Sequence, residues 1–227
     1  MKKTFIILSV LALVFGDCGQ SLYAQFKIPK GYKDYSEGRI YIDFDGDGKK
    51  DTATIIISND QFYSNNFAAS FLIYLTSDNK NHIVELENGG IGHFTEFKVK
   101  NNVIQFGYFL NGTRARFHAF KLRYNHTKRK IQLIGFDFGH RISGTNFSGY
   151  TSISYNLLTG DYHVTNDIGI FIGSDVRPRK DFHKGNKKMR AVFLEDINDE
   201  LFEKLFSVGN EFNIDGCYYE LKKKKSQ

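Results

Sequence analysis

The chain has 227 residues, which suits one domain or one domain with an appendage. Hydrophobic residues are 41% and charged residues 25%, with 22 Phe, 13 Tyr, no Trp and 2 Pro. That composition excludes disordered, collagen-like, Pro-rich and disulfide-scaffold chains, and names no activity.

The N-terminus carries the clearest address. Lys2 and Lys3 precede an apolar run over residues 5–15, a length of 11. This is the size of a signal-peptide core and too short to span a bilayer as a helix. Ala24 offers a small residue for cleavage before Gln25, so residues 1–24 are expected to be removed on export. Cys18 stands where a bacterial lipoprotein carries its lipidated Cys, but Phe15, Gly16 and Asp17 before it match a lipoprotein signal poorly. Cleavage after Ala24 is therefore favoured over anchoring. It leaves Cys217 alone, so the mature fold has no intrachain disulfide to rest on. No later run approaches the ~18 apolar residues of a membrane helix.

The formal charge is +6. Export would remove Lys2, Lys3 and Asp17 and leave +5. Residues 222–225 hold +4 and residues 177–190 hold +6, so the rest of the mature chain sums to −5. The basic character belongs to two C-terminal patches. Nucleic acid is not an expected partner, because a nucleic-acid domain needs a basic face of its own. These lysines and arginines read as a solvated face and a frayed tail that touch anionic envelope surfaces.

From residue 38 to about residue 170, short aromatic and β-branched runs alternate with Asn, Gly and Asp turns. Residues 39–44 and 52–57 flank an acidic loop. Residues 71–76 and 82–87 flank a polar turn at 77–81. Residues 94–100 and 103–108 flank Asn101 and Asn102, a two-residue hairpin signal, and Asn111 with Gly112 gives another. His118, Phe120, Leu122 and Tyr124 alternate onto one strand face. A turn at 125–129 leads to a strand at 131–138, and strands at 152–156 and 162–165 follow. The fold class is mostly β, an antiparallel meander or sandwich. Residues 191–208 then place Leu194, Ile197, Leu201, Phe202, Leu205 and Phe206 at helical spacing, with acids early and Lys204 late. One C-terminal amphipathic helix is expected there, docked on the sheet. The domain plan is thus a signal at 1–24, a β domain at 25–170, and a basic segment, helix and Lys-rich tail at 171–227 that packs on or extends the domain.

One motif carries chemistry. Residues 43–51 read D-x-D-x-D-G-x-x-D. Asp43, Asp45 and Asp47 can turn inward around one hard cation, and Gly46 permits the bend. The Lys49 carbonyl and the Asp51 carboxylate complete an all-oxygen set. Thr54 stands where an EF-hand would have its Glu, and helices are absent on both sides. A bare Asp-Gly turn is the alternative, but four carboxylates within nine residues repel one another without a cation. Calcium in a structural role is the expected cofactor.

Residues 42–55 (IDFDGDGKKDTATI) resemble the calcium loop of FG-GAP or VCBS-type repeats, found in integrin-like β-propellers. That resemblance implies side-chain ligands at Asp43, Asp45, Asp47 and Asp51 and a carbonyl ligand at Lys49. More loosely, residues 71–75 (FLIYL), 131–135 (IQLIG) and 156–160 (NLLTG) look like secreted bacterial proteins that carry one such loop ahead of a β-domain. The loop occurs once, whereas a propeller needs at least four blades, so an adhesion role is not implied.

Zincin, nucleophile-elbow and P-loop motifs are absent. Seven His are scattered. His118 reads as a core residue, and His140 with Asp137 as a chance acid–base pair. Tyr32, Tyr35, Phe62, Tyr63 and Tyr150 are candidates for sugar stacking, although most aromatics here read as core. No catalytic residue stands out. The expected role is a non-enzymatic binding or envelope-associated module, monomeric, with a glycan or envelope protein as partner. A hydrolase or inhibitor-type protein acting on envelope polymers is the second reading.

Overall fold

The Asn-rich punctuation becomes tight turns. Asn79, Asn101, Asn102 and Arg129 have φ of 54°, 52°, 56° and 53°, the left-handed conformation that short hairpin turns require. The structure is a computed structural model that describes residues 26–35, 38–59, 69–86, 91–110 and 115–212, with backbone only for 91–96. The expected signal at 1–24, Cys18, Ala24, Cys217, the 222–225 tail, the expected turn at Asn111 and Gly112, Phe62 and Tyr63 lie outside the described residues.

Two antiparallel sheets form. The first contains β1 (Tyr32–Asp34), β2 (Ile40–Ile42), β3 (Asp51–Ser58), β4 (Ala69–Leu75) and β5 (Lys80–Glu85) in the order β1-β3-β4-β5, with β2 also on β3. β2 pairs with the start of β3 and β1 with its end, so the two share one edge while β4 takes the other. β3 and β4 are buried along almost their whole length because both faces are covered. Ile55, Ile57, Phe71 and Ile73 enter the main core. Ile56, Leu72 and Tyr74 face the other way, under Phe26, Ile28 and Tyr32.

The second sheet is a meander of β6 (Ile91–Lys100), β7 (Val103–Leu110), β8 (Arg116–Asn125), β9 (Lys130–Gly144), β10 (Phe147–Asn156), β11 (Asp161–Ile172) and β12 (Asp175–Asn186). β13 (Val192–Phe193) returns to pair with β9 at Leu133 and Gln132, just beyond the point where β10 stops at Gly135. The mostly β fold expected from the sequence is the fold observed.

A stack of rings joins the layers. Phe71 of β4 lies on Phe106 of β7 with centroids 4.1 Å apart, and Phe106 lies on Phe120 at 4.8 Å. The helix α1 (Asp199–Phe206) roofs the next strands, with Phe202 at 5.9 Å from Phe120 and Phe206 at 4.7 Å from Phe138. The chain then crosses β11, where Tyr162 Oη donates to Glu211 at 3.0 Å and Asn166 Nδ2 to the Phe212 carbonyl at 2.8 Å.

Three local features differ from expectation. The helix is shorter than 191–208, because Asn198 caps it by accepting from Leu201 N at 2.9 Å, and Asp196 accepts from Phe193 N at 2.9 Å to close a 3-10 turn. The basic segment from residue 177, for which no strand was expected, is mostly strand β12, paired along its length with β11 and so extending the larger sheet. β9 runs on to Gly144 and does not stop at residue 138. Aromatic rings occupy the space its glycines leave: a Cβ on Gly139 would meet Tyr150 Oη at 2.5 Å, and one on Gly144 would meet the Phe147 ring at 2.5 Å.

Candidate metal centre

The β2–β3 hairpin closes with the pair Ile42 and Asp51, so residues 43–50 form its loop. Phe44 anchors that loop. It is 1% exposed and meets the Tyr124 ring edge-on at 6.4 Å. Gly46 and Gly48 have φ of 76° and 84°, which lets the chain double back.

The doubling-back turns amides onto the carboxylates. Gly48 N donates to Asp43 Oδ2 at 3.0 Å, Asp47 N to Asp45 Oδ1 at 3.2 Å and Lys49 N to Asp47 Oδ1 at 2.8 Å. One oxygen from each of Asp43, Asp45 and Asp51 lies within 4.8 Å of the others. Asp47 and Lys49 stand outside this trio. The Lys49 ammonium sits 3.9 Å from Asp47 Oδ2, at the exposed rim.

Asp51 has a task of its own. It is fully buried, and each of its oxygens accepts twice. Oδ2 accepts from Phe44 N at 2.9 Å and Asp45 N at 3.4 Å; Oδ1 accepts from Thr76 N at 2.8 Å and Thr76 Oγ1 at 3.0 Å. Burial pushes its pKa up, the bonds from Thr76 and Phe44 pull it back, and the charge of Asp45 adds to the rise. Ser77 Oγ donates to Asp45 Oδ2 from the same β4–β5 turn. Asn102 Nδ2 reaches the Asp43 carbonyl at 3.4 Å from the β6–β7 turn. The acidic loop thus sits where turns of both sheets meet. By contrast, Asp43 Oδ1 is buried and has no hydrogen-bond partner among the described residues.

Thr76, Ser77 and Asn102 were not singled out in the sequence. A Thr-Ser pair opening a turn is common, and only the pairing of β3 with β4 brings this one to Asp51.

The other candidates resolve as follows. His118 is fully buried, its Nδ1 is 3.0 Å from Tyr108 Oη, and its ring lies among Phe138 and Phe206 at 5.3 and 5.1 Å. Burial, with the charge of Arg116 behind it, lowers its pKa to about 3. His140 and Asp137 are three apart on β9 and so point to opposite faces. Asp137 instead holds Lys121 Nζ at 2.7 Å and Ser154 Oγ at 2.5 Å. Tyr32 and Tyr35 pack against the two cores, and Tyr150 lies over Gly139, so these three do not assemble into a strip for sugars.

An open groove of about 410 Å³ lies on the outer face of the larger sheet, lined by Lys121, Gly135, Ser154, Asp161 and His163 among others. Bonds from Thr159 and Asn186 hold Asp161 below the usual carboxylate range. A glycosidase general acid needs the opposite shift.

Among the described residues, no helix is long and apolar enough to cross a membrane. No protein family, no curated protein and no solved structure matches this chain.

Proposed function

We propose that this chain is an exported, non-enzymatic β-module with one structural calcium in the 43–51 loop, acting as a binding or envelope-associated protein. The observation that carries the metal reading is Asp43 Oδ1, a buried carboxylate oxygen without a hydrogen-bond partner among the described residues, inside a trio of carboxylates. A buried polar atom of this kind calls for a ligand. The donor set is all oxygen and acidic, which suits a hard cation of calcium's size.

Asp43, Asp45, Asp47, Asp51 and the Lys49 carbonyl are the proposed oxygen set. A bound cation would neutralise carboxylates that otherwise repel. Within that set Asp51 does a second job, fixing the loop to β4 through Thr76 and to its own entry through Phe44 N. The role is read as structural because the loop is tied to turns of both sheets through Thr76, Ser77 and Asn102. The single-loop resemblance to FG-GAP and VCBS repeats agrees with this reading. Export rests on Lys2, Lys3, the apolar run and Ala24, and N-terminal sequencing of the mature protein is expected to begin at Gln25.

The test is a melting curve in EDTA and in millimolar calcium. At one hundred times a dissociation constant of about 10 µM, stabilisation is about 2.7 kcal/mol, roughly 5–10 °C in this size range. Asp45→Ala and Asp47→Ala should lose most of that increment. Equal melting temperatures in both buffers, with no calcium heat by calorimetry, would leave the loop a bare turn. For partners, a pull-down of glycans and envelope proteins with and without calcium is the matching experiment.

A further inference from the structure

Exposed apolar side chains gather at one end of the larger sheet. Phe171, Ile172 and Val176 are 40%, 47% and 58% exposed. All three lie at the turn of the β11–β12 hairpin, around Gly173 and Ser174. Phe171 pairs directly with Val176, and Ile172 with Asp175. Strand alternation therefore puts Phe171 and Val176 on one face and Ile172 on the other. The adjoining β9–β10 turn flanks the tip, with Phe171 N donating to the Asn146 carbonyl at 2.8 Å. Farther back, Ile142 and Ile168 are buried with Phe147 and Ile170 against them. The three exposed residues project beyond that small cluster.

Cations follow on both faces. Arg177 and Arg179 share the face of Ile172; Lys180 and, across the sheet, Arg141 share the face of Phe171. Arg179 engages Asp181 at 2.8 Å and Lys180 approaches Asp167 at 3.6 Å. Arg141 and Arg177 make no ion pair among the described residues. At about 3.3 Å per residue, Arg177 stands roughly 10 Å behind the turn and Lys180 roughly 20 Å. Asp175 is the one carboxylate at the tip, two residues from Arg177 on the same face.

This arrangement fits one kind of partner. Apolar groups that enter a membrane interface reach about 5–10 Å deep, and basic residues behind them meet anionic headgroups. The open edge of β12 is a poor template for an added strand, since Pro178 lacks an N–H and lysines line it. Nucleic acid would use the cations and leave the apolar tip in water. A second copy would set like charges against each other.

We propose that the β11–β12 tip inserts shallowly into an anionic lipid surface, with Phe171, Ile172 and Val176 in the apolar layer and the cations behind them on the headgroups. This names a partner for the envelope-associated reading and rests on it for the compartment alone. It does not involve the 43–51 loop, so a flat calcium melting curve leaves it standing, and a failure below leaves the loop standing.

The chain has no Trp, so Phe171→Trp supplies a single indole reporter. The chain from Gln25 onward is mixed with vesicles of phosphatidylcholine alone or with added phosphatidylglycerol. Fluorescence should shift to the blue and be quenched by brominated lipid only with the anionic vesicles. Tyr41→Trp, exposed on β2 of the other sheet, should not respond. In sedimentation with the same vesicles, Ile172→Ser with Val176→Ser should weaken binding at least roughly tenfold. Arg177→Ser should weaken it about fivefold at low salt. Both variants should keep the parent melting temperature, and removal of residues 222–227 should leave tip-dependent binding in place.

Any of four results would overturn the proposal: no indole shift, equal binding to neutral vesicles, binding lost with the tail and unaffected by the tip, or an indole shift caused by duplex DNA or by protein concentration alone.

Discussion

Asp51→Ala tests the acidic loop most directly. The substitution removes an acceptor from Phe44 N, Asp45 N, Thr76 N and Thr76 Oγ1, at a position with no exposure. Three of these bonds are 3.0 Å or shorter. Bonds to a charged group contribute about 1.5–3 kcal/mol each. Against this stands the cost of burying the carboxylate, which already raises its pKa. The difference is expected near 3–5 kcal/mol, and water entering from the exposed rim limits it. In melting temperature this is roughly 6–20 °C. Asp51→Asn should not rescue, because both oxygens accept and either orientation of the amide turns its NH2 on two donors. Asp47→Ala is the comparison. Asp47 lies at the rim and, among the described backbone amides, accepts from Lys49 N alone, so its loss should cost less than about 1 kcal/mol in EDTA. Melting followed by far-UV circular dichroism in EDTA separates the two without any metal. Equal shifts for Asp51→Ala and Asp47→Ala, or full rescue by Asn, would refute the organising role of Asp51.

Three further outcomes follow from packing and charge. His118 stays neutral when folded, with a pKa near 3 against 6.5 unfolded, so stability is complete above pH 6.5 and falls as pH drops. By pH 5 the loss is about 2 kcal/mol. Asp51, with its raised pKa, works in the opposite direction, so the check is the difference in pH slope between the parent and His118→Phe; parallel slopes would contradict it. Phe202→Ala opens a gap beside Phe120, His118 and Phe206 and should cost about 3–5 kcal/mol by urea unfolding. Gly46→Ala forces a side chain to φ 76° and brings its Cβ within 3.3 Å of the His126 ring; about 1–2 kcal/mol of destabilisation is expected in thermal melts.

What could be read in advance was whatever is local. Asn101 and Asn102 announce their hairpin because two successive left-handed residues suit few side chains. The alternation at His118, Phe120 and Leu122 marks a strand whose inner face is core. The Asp-Gly spacing marks a loop that can gather carboxylates. What stayed hidden depends on distant neighbours. The inner face of β12 carries Arg177, Arg179 and Asp181, so no apolar period reveals a strand, and only pairing with β11 makes it one. Gly139 and Gly144 look like stops until Tyr150 and Phe147 fill their places. Leu194 and Ile197 fit a helical period, yet Asn198 starts the helix after them. At the acidic loop, the donors that matter most for Asp51 come partly from Thr76, 25 residues away.

The order of strands in the larger sheet bears on how the chain folds. From β6 to β12 every pairing joins strands adjacent in sequence; only β13 reaches back, to β9. Contacts of short sequence separation speed folding, whereas crossed-over β topologies wait for distant segments to meet. Each hairpin here can zip onto the one before it. The aromatic face they leave open is closed only when residues 192–212 return across it. A chain interrupted before that return would present Phe120, Phe136 and Phe138 to solvent, a surface prone to aggregation. Completing the C-terminal roof is therefore the step on which the yield of native protein should depend, and truncation at residue 190 should send the product to the insoluble fraction.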